Sequence, residues 1–555
     1  MELNRSIRNI LALRGISAAE DVAEYFCEKP QRTYDPLLMK GMEEGVEQIL
    51  AAISTGEKIC VYGDYDADGV TSVALLTDVL REMGAEVISY IPSRFDEGYG
   101  LNSAALDKIK ATGCGLVVTV DCGCTSVAEV EHAQEIGLDI LITDHHELKA
   151  EIPDCVVIDP KQPGCPYPCK VLAGVGVAFK LAQALVYAAG LPKQVLTRNL
   201  DLVGIGTIGD IVPLVDENRT LAKYGLRAIN VTNRPGLKAL IRGIGLVPGE
   251  INSQNVSFAI VPHINAAGRM GDAALAARLM KTTESVKAAE LTEKLKHCNT
   301  DRKMVQKSIY EACVSQVTDE MKAGGFLLIR LQDAHEGVIG IACGKLKETY
   351  RLPSFIVTRT EDGKWKGTGR SVDGVDIFAI LSRAEQIFLR FGGHAAACGF
   401  TIEEENLPLL ETALRVGMRE LGTAADSGWA QAELVLPDED VSLEFCDQQK
   451  LMEPFGKGNE MPSVGIRVQA CDLLRMGSEK QYLRFGSRLQ DGRVLKTVAF
   501  RNADEIEAEI TRASGGEVLV IGNLEEQEWK GTTYLQMNAK AVRPNMPDSA
   551  KAENR

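Results

Sequence analysis

KICVYGDYDADGVTSVALL, residues 58–76, decides the fold. Lys58–Gly63 is a short apolar run rich in β-formers, which reads as a strand. A helical pattern runs from about Val70 to Met83. Between the two lie three carboxylates, Asp64, Asp66 and Asp68. The arrangement recurs downstream. Gly115–Val120 reads as a strand and is followed by Asp121; Asp139–Thr143 reads as a strand and is followed by Asp144-His145-His146. Glu86–Ile91 and Val156–Ile158 add strands, and Ser103–Lys110 and Ser126–Ile136 add helices. Strands alternating with helices predict a parallel sheet covered on both faces. Open parallel sheets bind ligands beyond the carboxyl ends of their strands, so three strands deliver Asp and His to one sheet edge.

Carboxylates packed together repel one another unless cations neutralise them. Oxygen ligands combined with imidazole suit Mn²⁺ or Mg²⁺. Two such ions about 4 Å apart can clamp the attacking and leaving oxygens of a phosphoryl transfer. Asp210, at the end of Gly204-Ile205-Gly206-Thr207-Ile208-Gly209-Asp210, is a further candidate ligand. Taken singly, Asp66 or Asp144 reads equally well as a helix cap or turn residue; the whole set does not. His145 and His146 are adjacent in a chain with seven histidines, and neighbours leave a strand end in different directions, so the two imidazoles are expected to do different jobs.

The rest of the chain supplies context. With 555 residues it should hold three to five domains. No apolar run is long enough to cross a bilayer, and Met1–Ile10 lacks the apolar core of a signal peptide. Fourteen cysteines scattered through the chain, several inside apolar runs, read as buried thiols in a reducing cytoplasm. A net charge of −16 argues against a nucleic-acid partner, but carboxylates that hold metal do not count against it. From Asn218 to Gly249 there is also a run without Asp or Glu that carries Arg219, Lys223, Arg227, Arg234, Lys238 and Arg242; it reads as a phosphate-facing surface. Gly174-Val175-Gly176 does not read as a dinucleotide loop, because no clear strand feeds it.

The expected fold is α/β. A first α/β domain with an N-terminal extension spans residues 1–216, and a helical connection spans 217–321, with long helices over Glu284–Met321. A second, smaller α/β domain spans 322–422, with strands at Phe326–Arg330, Ser354–Thr358 and Gly367–Arg370 and a helix at Gly337–Lys347. Thr423–Gly428 reads as a linker. Within 430–545, period-two stretches at Val464–Cys471, Tyr482–Ser487, Val494–Phe500, Glu517–Gly522 and Thr533–Ala539 suit an OB-like β-barrel. Tyr482, Phe485 and Trp529 there are either core or base-stacking residues, and 546–555 reads as a disordered tail.

Asp144-His145-His146 with Asp64-Tyr65-Asp66-Ala67-Asp68-Gly69 is similar to the signature of the DHH phosphoesterases. Pro92-Ser93-Arg94, Gly98-Tyr99-Gly100, Thr119-Val120-Asp121, Gly206–Asp210 and Ile264–Arg269 resemble blocks of the RecJ branch of that family. Gly337–Ile341, Gly369-Arg370-Ser371 and Gly392-Gly393-His394 resemble the DHH-associated domain. The resemblance implies a 5′-to-3′ exonuclease specific for single-stranded DNA, acting in recombination and repair with two Mn²⁺ or Mg²⁺ ions. It also implies roles by position. Asp66, Asp68, Asp121, His145 and Asp210 match metal ligands; Asp64 and His146 match catalytic positions, with Asp64 behind the ligands and His146 at the scissile phosphate. Arg94, Arg269, Arg370, Ser371 and His394 match positions that bind the strand or its 5′ phosphate. Single-stranded DNA is the implied partner, with a single-strand-binding protein and a helicase as further candidates. The chain departs from the pattern at Cys122-Gly123-Cys124, where relatives usually carry Asn at the first position. Rival readings are a phosphodiesterase of short oligonucleotides or cyclic dinucleotides, and a non-catalytic replication scaffold.

Overall fold

The computed structural model describes residues 3–29, 32–360, 362–421, 431–529 and 531–544. They fall into two units, 32–421 and 3–29 with 431–544.

The larger unit begins with the expected parallel sheet. Its strands are β1 (Lys58–Gly63), β2 (Val87–Tyr90), β3 (Cys114–Val120), β4 (Asp139–Thr143) and β5 (Val156–Ile158), in the order β2-β1-β3-β4-β5. Alternate residues serve opposite faces. Ile59, Val61, Val118, Val120 and Leu141 pack with the helices Met42–Thr55, Ala67–Glu82 and Gly174–Ala188. Cys60, Tyr62, Val117, Ile140 and Ile142 pack on the other side with Ser103–Ala111 and Val127–Glu135. Both faces being covered is why these strands read as continuous apolar runs. The Ala67–Glu82 helix is buried nearly all round, because Leu200–Gly209 packs beside it.

A 30-residue helix, Ser285–Val314, leads out of this region; at 1.5 Å per residue it is about 45 Å long. It meets a second sheet of β6 (Leu327–Leu331), β7 (Ser354–Arg359), β8 (Trp365–Arg370), β9 (Phe388–His394) and β10 (Ala397–Ile402), ordered β6-β7-β8-β10-β9. Only β6 and β7 pair in parallel; the other pairings are antiparallel. Glu336–Tyr350 covers one face, and Ile377–Ser382 with Leu407–Leu421 covers the other.

The second unit holds β11 (Leu434–Val435), β12 (Val464–Met476), β13 (Tyr482–Arg488), β14 (Val494–Ala499), β15 (Glu517–Trp529) and β16 (Thr532–Pro544). Pairing of β12 with β15 closes a barrel of five strands, β12-β13-β14-β16-β15. Phe485 is core, not a stacking platform. Tyr482 is half-buried, its ring edge-on to Phe500. The side chain of Trp529, the linker 423–428 and the tail 546–555 lie outside the described residues.

Two expectations need correction. Residues 3–29 do not extend the first α/β domain. Their helices Arg5–Leu13 and Ala19–Phe26 bury Ile7, Ile10, Leu11 and Tyr25 in the barrel core, and Arg14 pairs with Glu433 at 2.9 Å. The apolar stripe at residues 7, 10 and 11 signals a buried helix face but not which distant surface buries it. The basic run is also not one phosphate-facing surface. Arg234 is largely covered, its guanidinium bonded to Asp78 at 2.8 Å, Asn199 at 2.7 Å and the Met280 carbonyl at 2.9 Å, with Asp201 at 3.5 Å. Its partners are supplied by other segments, so counting acids within the run misses them. Among the described residues, no helix is long and apolar enough to cross a membrane.

Arg234→Ala should therefore lower stability by about 3–5 kcal/mol, the cost of stranding the buried Asp201 carboxylate, while Lys238→Gln and Arg242→Gln should cost little. Thermal melts check this; an unchanged melting temperature in Arg234→Ala would remove the network from the fold's support.

Candidate metal centre

Each acidic residue of the centre is placed by the end of a strand or helix. Asp64 leaves β1. Asp66 caps the Ala67–Glu82 helix, accepting from the Asp68 and Gly69 amides at 2.8 and 3.1 Å. The cap reading and the ligand reading of Asp66 thus hold together, because these bonds use Oδ1. Asp68, in the first turn, is fully buried; its two oxygens accept from the amides of Gly174 and Val175, each at 2.7 Å. Gly174-Val175 therefore opens a helix whose N-terminal N–H groups hold a carboxylate of this protein instead of a cofactor.

Asp121 leaves β3 with φ of 62°, a left-handed backbone that turns its carboxylate back over the sheet edge. Gly174 makes room for it: a Cβ there would come 2.6 Å from Asp121 Oδ1. Gly206 plays the same part for Asp68, whose Oδ1 would lie 2.9 Å from an added Cβ. Asp210 follows the Leu200–Gly209 helix.

These residues form two groups. Ligand atoms of Asp64, Asp66 and Asp121 lie within 4.8 Å of one another, and so do those of Asp68, His145 and Asp210. His145 Nε2 joins them, 3.1 Å from Asp121, 3.6 Å from Asp210 and 3.9 Å from Asp68. Asp64, expected behind the ligands, stands among them. Burial lifts Asp64, Asp68 and Asp121 well above the usual carboxylate range, and repulsion adds to it, from Asp66 on Asp64, Asp210 on Asp68 and Asp68 on Asp121. Burial and the charge of His146 bring His145 down to about 3, so its imidazole is neutral and free to ligate. Asp64 Oδ1 and His145 Nε2 are buried without a hydrogen-bond partner among the described residues. Crowded carboxylates, a neutral imidazole and unsatisfied buried ligand atoms fit divalent cations.

His146 also reaches the centre, its ligand atom within 4.8 Å of those of Asp121 and His145, but it is held by a different partner. Asp144 accepts from the backbone of Cys124 and His145 and from His146 Nδ1 at 2.7 Å. Burial would raise Asp144, but the His146 bond and charge hold it below the carboxylate range. Burial opposes charge on His146, but Asp144 lifts it to about 9. The two imidazoles stay close, 4.4 Å between centroids, and differ in partners. The Tyr99 hydroxyl lies 3.1 Å from His146 Nδ1.

The arginines cluster separately. Burial, then repulsion from Arg94, Arg302 and Arg370, brings Arg269 down to about 10. Arg94 sits 4.9 Å over the Tyr65 ring, and Arg269 donates to the Gly337 carbonyl at 3.1 Å. Arg370, Ala397 and His394 form one row across β8, β10 and β9, so their side chains share a face. Ser371 departs from expectation: its hydroxyl is buried and donates to the Val375 carbonyl at 2.6 Å, so that proton is committed. Tyr99, Arg302 and the Gly174-Val175 amides were missed as site residues. Tyr99 had a signal in its flanking Gly98 and Gly100; Arg302 had none within its charged helix.

The DHH family N-terminal domain matches residues 58–207, the DHHA1 domain matches 323–416 and the RecJ OB domain matches 432–541. The single-stranded-DNA-specific exonuclease RecJ of Bacillus subtilis is 38% identical over 96% of this chain and 67% of its own. That of Salmonella typhimurium is 34% identical over 96% of this chain and 94% of its own. The chain belongs to the RecJ family. The structure of Thermus thermophilus RecJ in complex with Mn²⁺ overlays at a TM-score of 0.82 with 28% identity, covering 99% of this chain and 79% of that one. A Mg²⁺ complex of the same protein overlays at 0.75 with 27% identity, covering 99% and 78%. Structures of that RecJ thus include a Mn²⁺ complex and a Mg²⁺ complex, and the donor set here fits either cation.

Asp121→Asn keeps the shape and suits a left-handed backbone while removing one buried charge. In chelator it should melt above the unmodified protein, and it should lose most of the Mn²⁺-induced rise in melting temperature. A lower melting temperature in chelator, or an undiminished Mn²⁺ response, would place the repulsion elsewhere.

Proposed function

We propose that this chain is a metal-dependent exonuclease that degrades single-stranded DNA from the 5′ end and releases 5′-mononucleotides. The observation that carries the reading is the pair of ligand groups joined through Asp121 and His145, in the same unit as an arginine cluster that includes Arg370.

Asp64, Asp66 and Asp121 would hold one ion, and Asp68, His145 and Asp210 the other. Bound there, Mn²⁺ or Mg²⁺ supplies Lewis-acid stabilisation of the attacking and leaving oxygens. Asp144 fixes His146 through Nδ1, and Nε2, 3.4 Å from the Tyr99 hydroxyl, would donate to an oxygen of the scissile phosphate. Arg94, Arg269 and Arg302 add positive charge for the phosphates that follow.

An exonuclease must distinguish an end from the middle of a strand. A terminal phosphate monoester carries more charge than an internal diester, and a guanidinium can bind it bidentately. Arg370 spends Nη1 on Thr368 and the Gly369 carbonyl, an arrangement that fixes the fork while Nη2 stays beside Gly340. His394 shares its face. Selection of single strands would come from a groove between the two sheets too narrow for duplex, reading shape rather than bases. The cytoplasm is the compartment proposed, with a helicase and a single-strand-binding protein as candidate partners.

Digestion of 5′- and 3′-labelled single strands with Mn²⁺ tests the reading. A block at the 5′ end should stop cleavage and one at the 3′ end should not. Ala at Asp66 or His145 should nearly abolish turnover. Arg370→Ala should raise KM for 5′-phosphorylated strands far more than for 5′-hydroxyl strands. Digestion from the 3′ end, or activity confined to short oligonucleotides, would overturn the assignment.

A further inference from the structure

The strand ends beyond the metal centre build a second cluster. Cys124 follows β3, Asp144 follows β4 and Asp159 follows β5, three neighbouring strands of the first sheet. One ligand atom from each lies within 4.8 Å of the other two. All three are buried, Asp159 at 0%, Asp144 at 1% and Cys124 at 2% exposure.

Their hydrogen bonding leaves acceptor capacity unused on Asp159. Asp159 Oδ1 accepts from the Lys161 amide at 2.7 Å, but Oδ2 has no hydrogen-bond partner among the described residues. A buried carboxylate oxygen without a partner costs a desolvation penalty that a ligand would remove. Asp144 uses Oδ1 for His145 and His146, and its Oδ2 accepts from the Cys124 amide at 2.9 Å. Cys124 Sγ lies 4.0 Å from the Glu147 carbonyl. Lys161, whose amide Asp159 accepts from, pairs through its side chain with the exposed Glu147 at 3.0 Å.

A thiolate with carboxylates is a poor site for Mg²⁺ and a good one for Zn²⁺, whose coordination sphere accepts both sulfur and oxygen. We propose that Cys124, Asp144 and Asp159 form a Zn²⁺ site separate from the Mn²⁺/Mg²⁺ centre. Loading it requires loss of the thiol proton to solvent. The site is coupled to the centre through Asp144: an ion on Oδ2 draws charge from the carboxylate that anchors His146 Nδ1. Bound Zn²⁺ therefore slows cleavage without displacing the ions of the centre.

Co²⁺ serves as the spectroscopic probe. With the full chain in excess Mg²⁺, one equivalent of Co²⁺ should produce a thiolate-to-cobalt charge-transfer band in the near ultraviolet. Cys124→Ser should lose the band, and Cys122→Ser should keep it. Asp159→Asn should weaken Co²⁺ binding about 10-fold or more, since even residues behind metal ligands cost that much. No band in the unaltered chain, a band that survives Cys124→Ser, or one that follows Cys122 would overturn the site. Should Cys124→Ser misfold by circular dichroism, Asp159→Asn decides, and unchanged affinity there sinks the proposal. Substoichiometric Zn²⁺ should slow Mg²⁺-supported cleavage by the unaltered chain and not by Cys124→Ser; equal inhibition of both would overturn the coupling to His146.

Discussion

Mutual repulsion among buried carboxylates is the constraint on which the rest of this structure depends. Asp64, Asp66, Asp68, Asp121 and Asp210 meet at one sheet edge, where three of them are nearly inaccessible to water. Such an arrangement persists only because the fold overdetermines it. Two helix N-terminal amides hold Asp68, a left-handed backbone turns Asp121, a cap bond holds Asp66, and glycines at 174 and 206 clear the space. The core beneath supplies the stability that the centre spends.

The same constraint separates the charges. Carboxylates collect after β1, β3 and the Leu200–Gly209 helix, and β4 adds the His145 imidazole. The guanidiniums of Arg94, Arg302 and Arg370 lower Arg269 by repulsion, and the four come from elements spread between residues 94 and 370. One pole suits cations and the other suits phosphates, a division that a polyanionic substrate can bridge. A net charge of −16 is then no measure of what the site attracts. Asp144 has another part. It takes no place in either carboxylate group and instead organises the loop after β3 and the ring of His146. The residue that heads the Asp-His-His signature thus works by positioning its neighbours.

What could be read from the amino acids was local and periodic. Strand β1 followed by the acidic loop, the same succession at Asp121 and at Asp144, and the period-two stretches of the barrel each lie within a short window, and the topology of parallel sheets does the rest. The short windows therefore suffice to place Asp66, Asp68, Asp121 and His145 at one edge. What could not be read depends on partners distant in the chain. Arg234 looks like a surface cation until Asp78 and Asp201 arrive from other helices; Ser371 looks like a phosphate donor until Val375 accepts its proton; the Arg5–Leu13 helix has no visible partner until the barrel, more than 400 residues later, covers it. Which residues carry charge, and which follow a strand, is written in short windows of the chain, because side-chain period and the succession of elements along the chain are short-range properties. Tertiary structure alone decided which of those charges face a ligand and which are neutralised by one another, because burial and pairing are set by contacts that no local window contains.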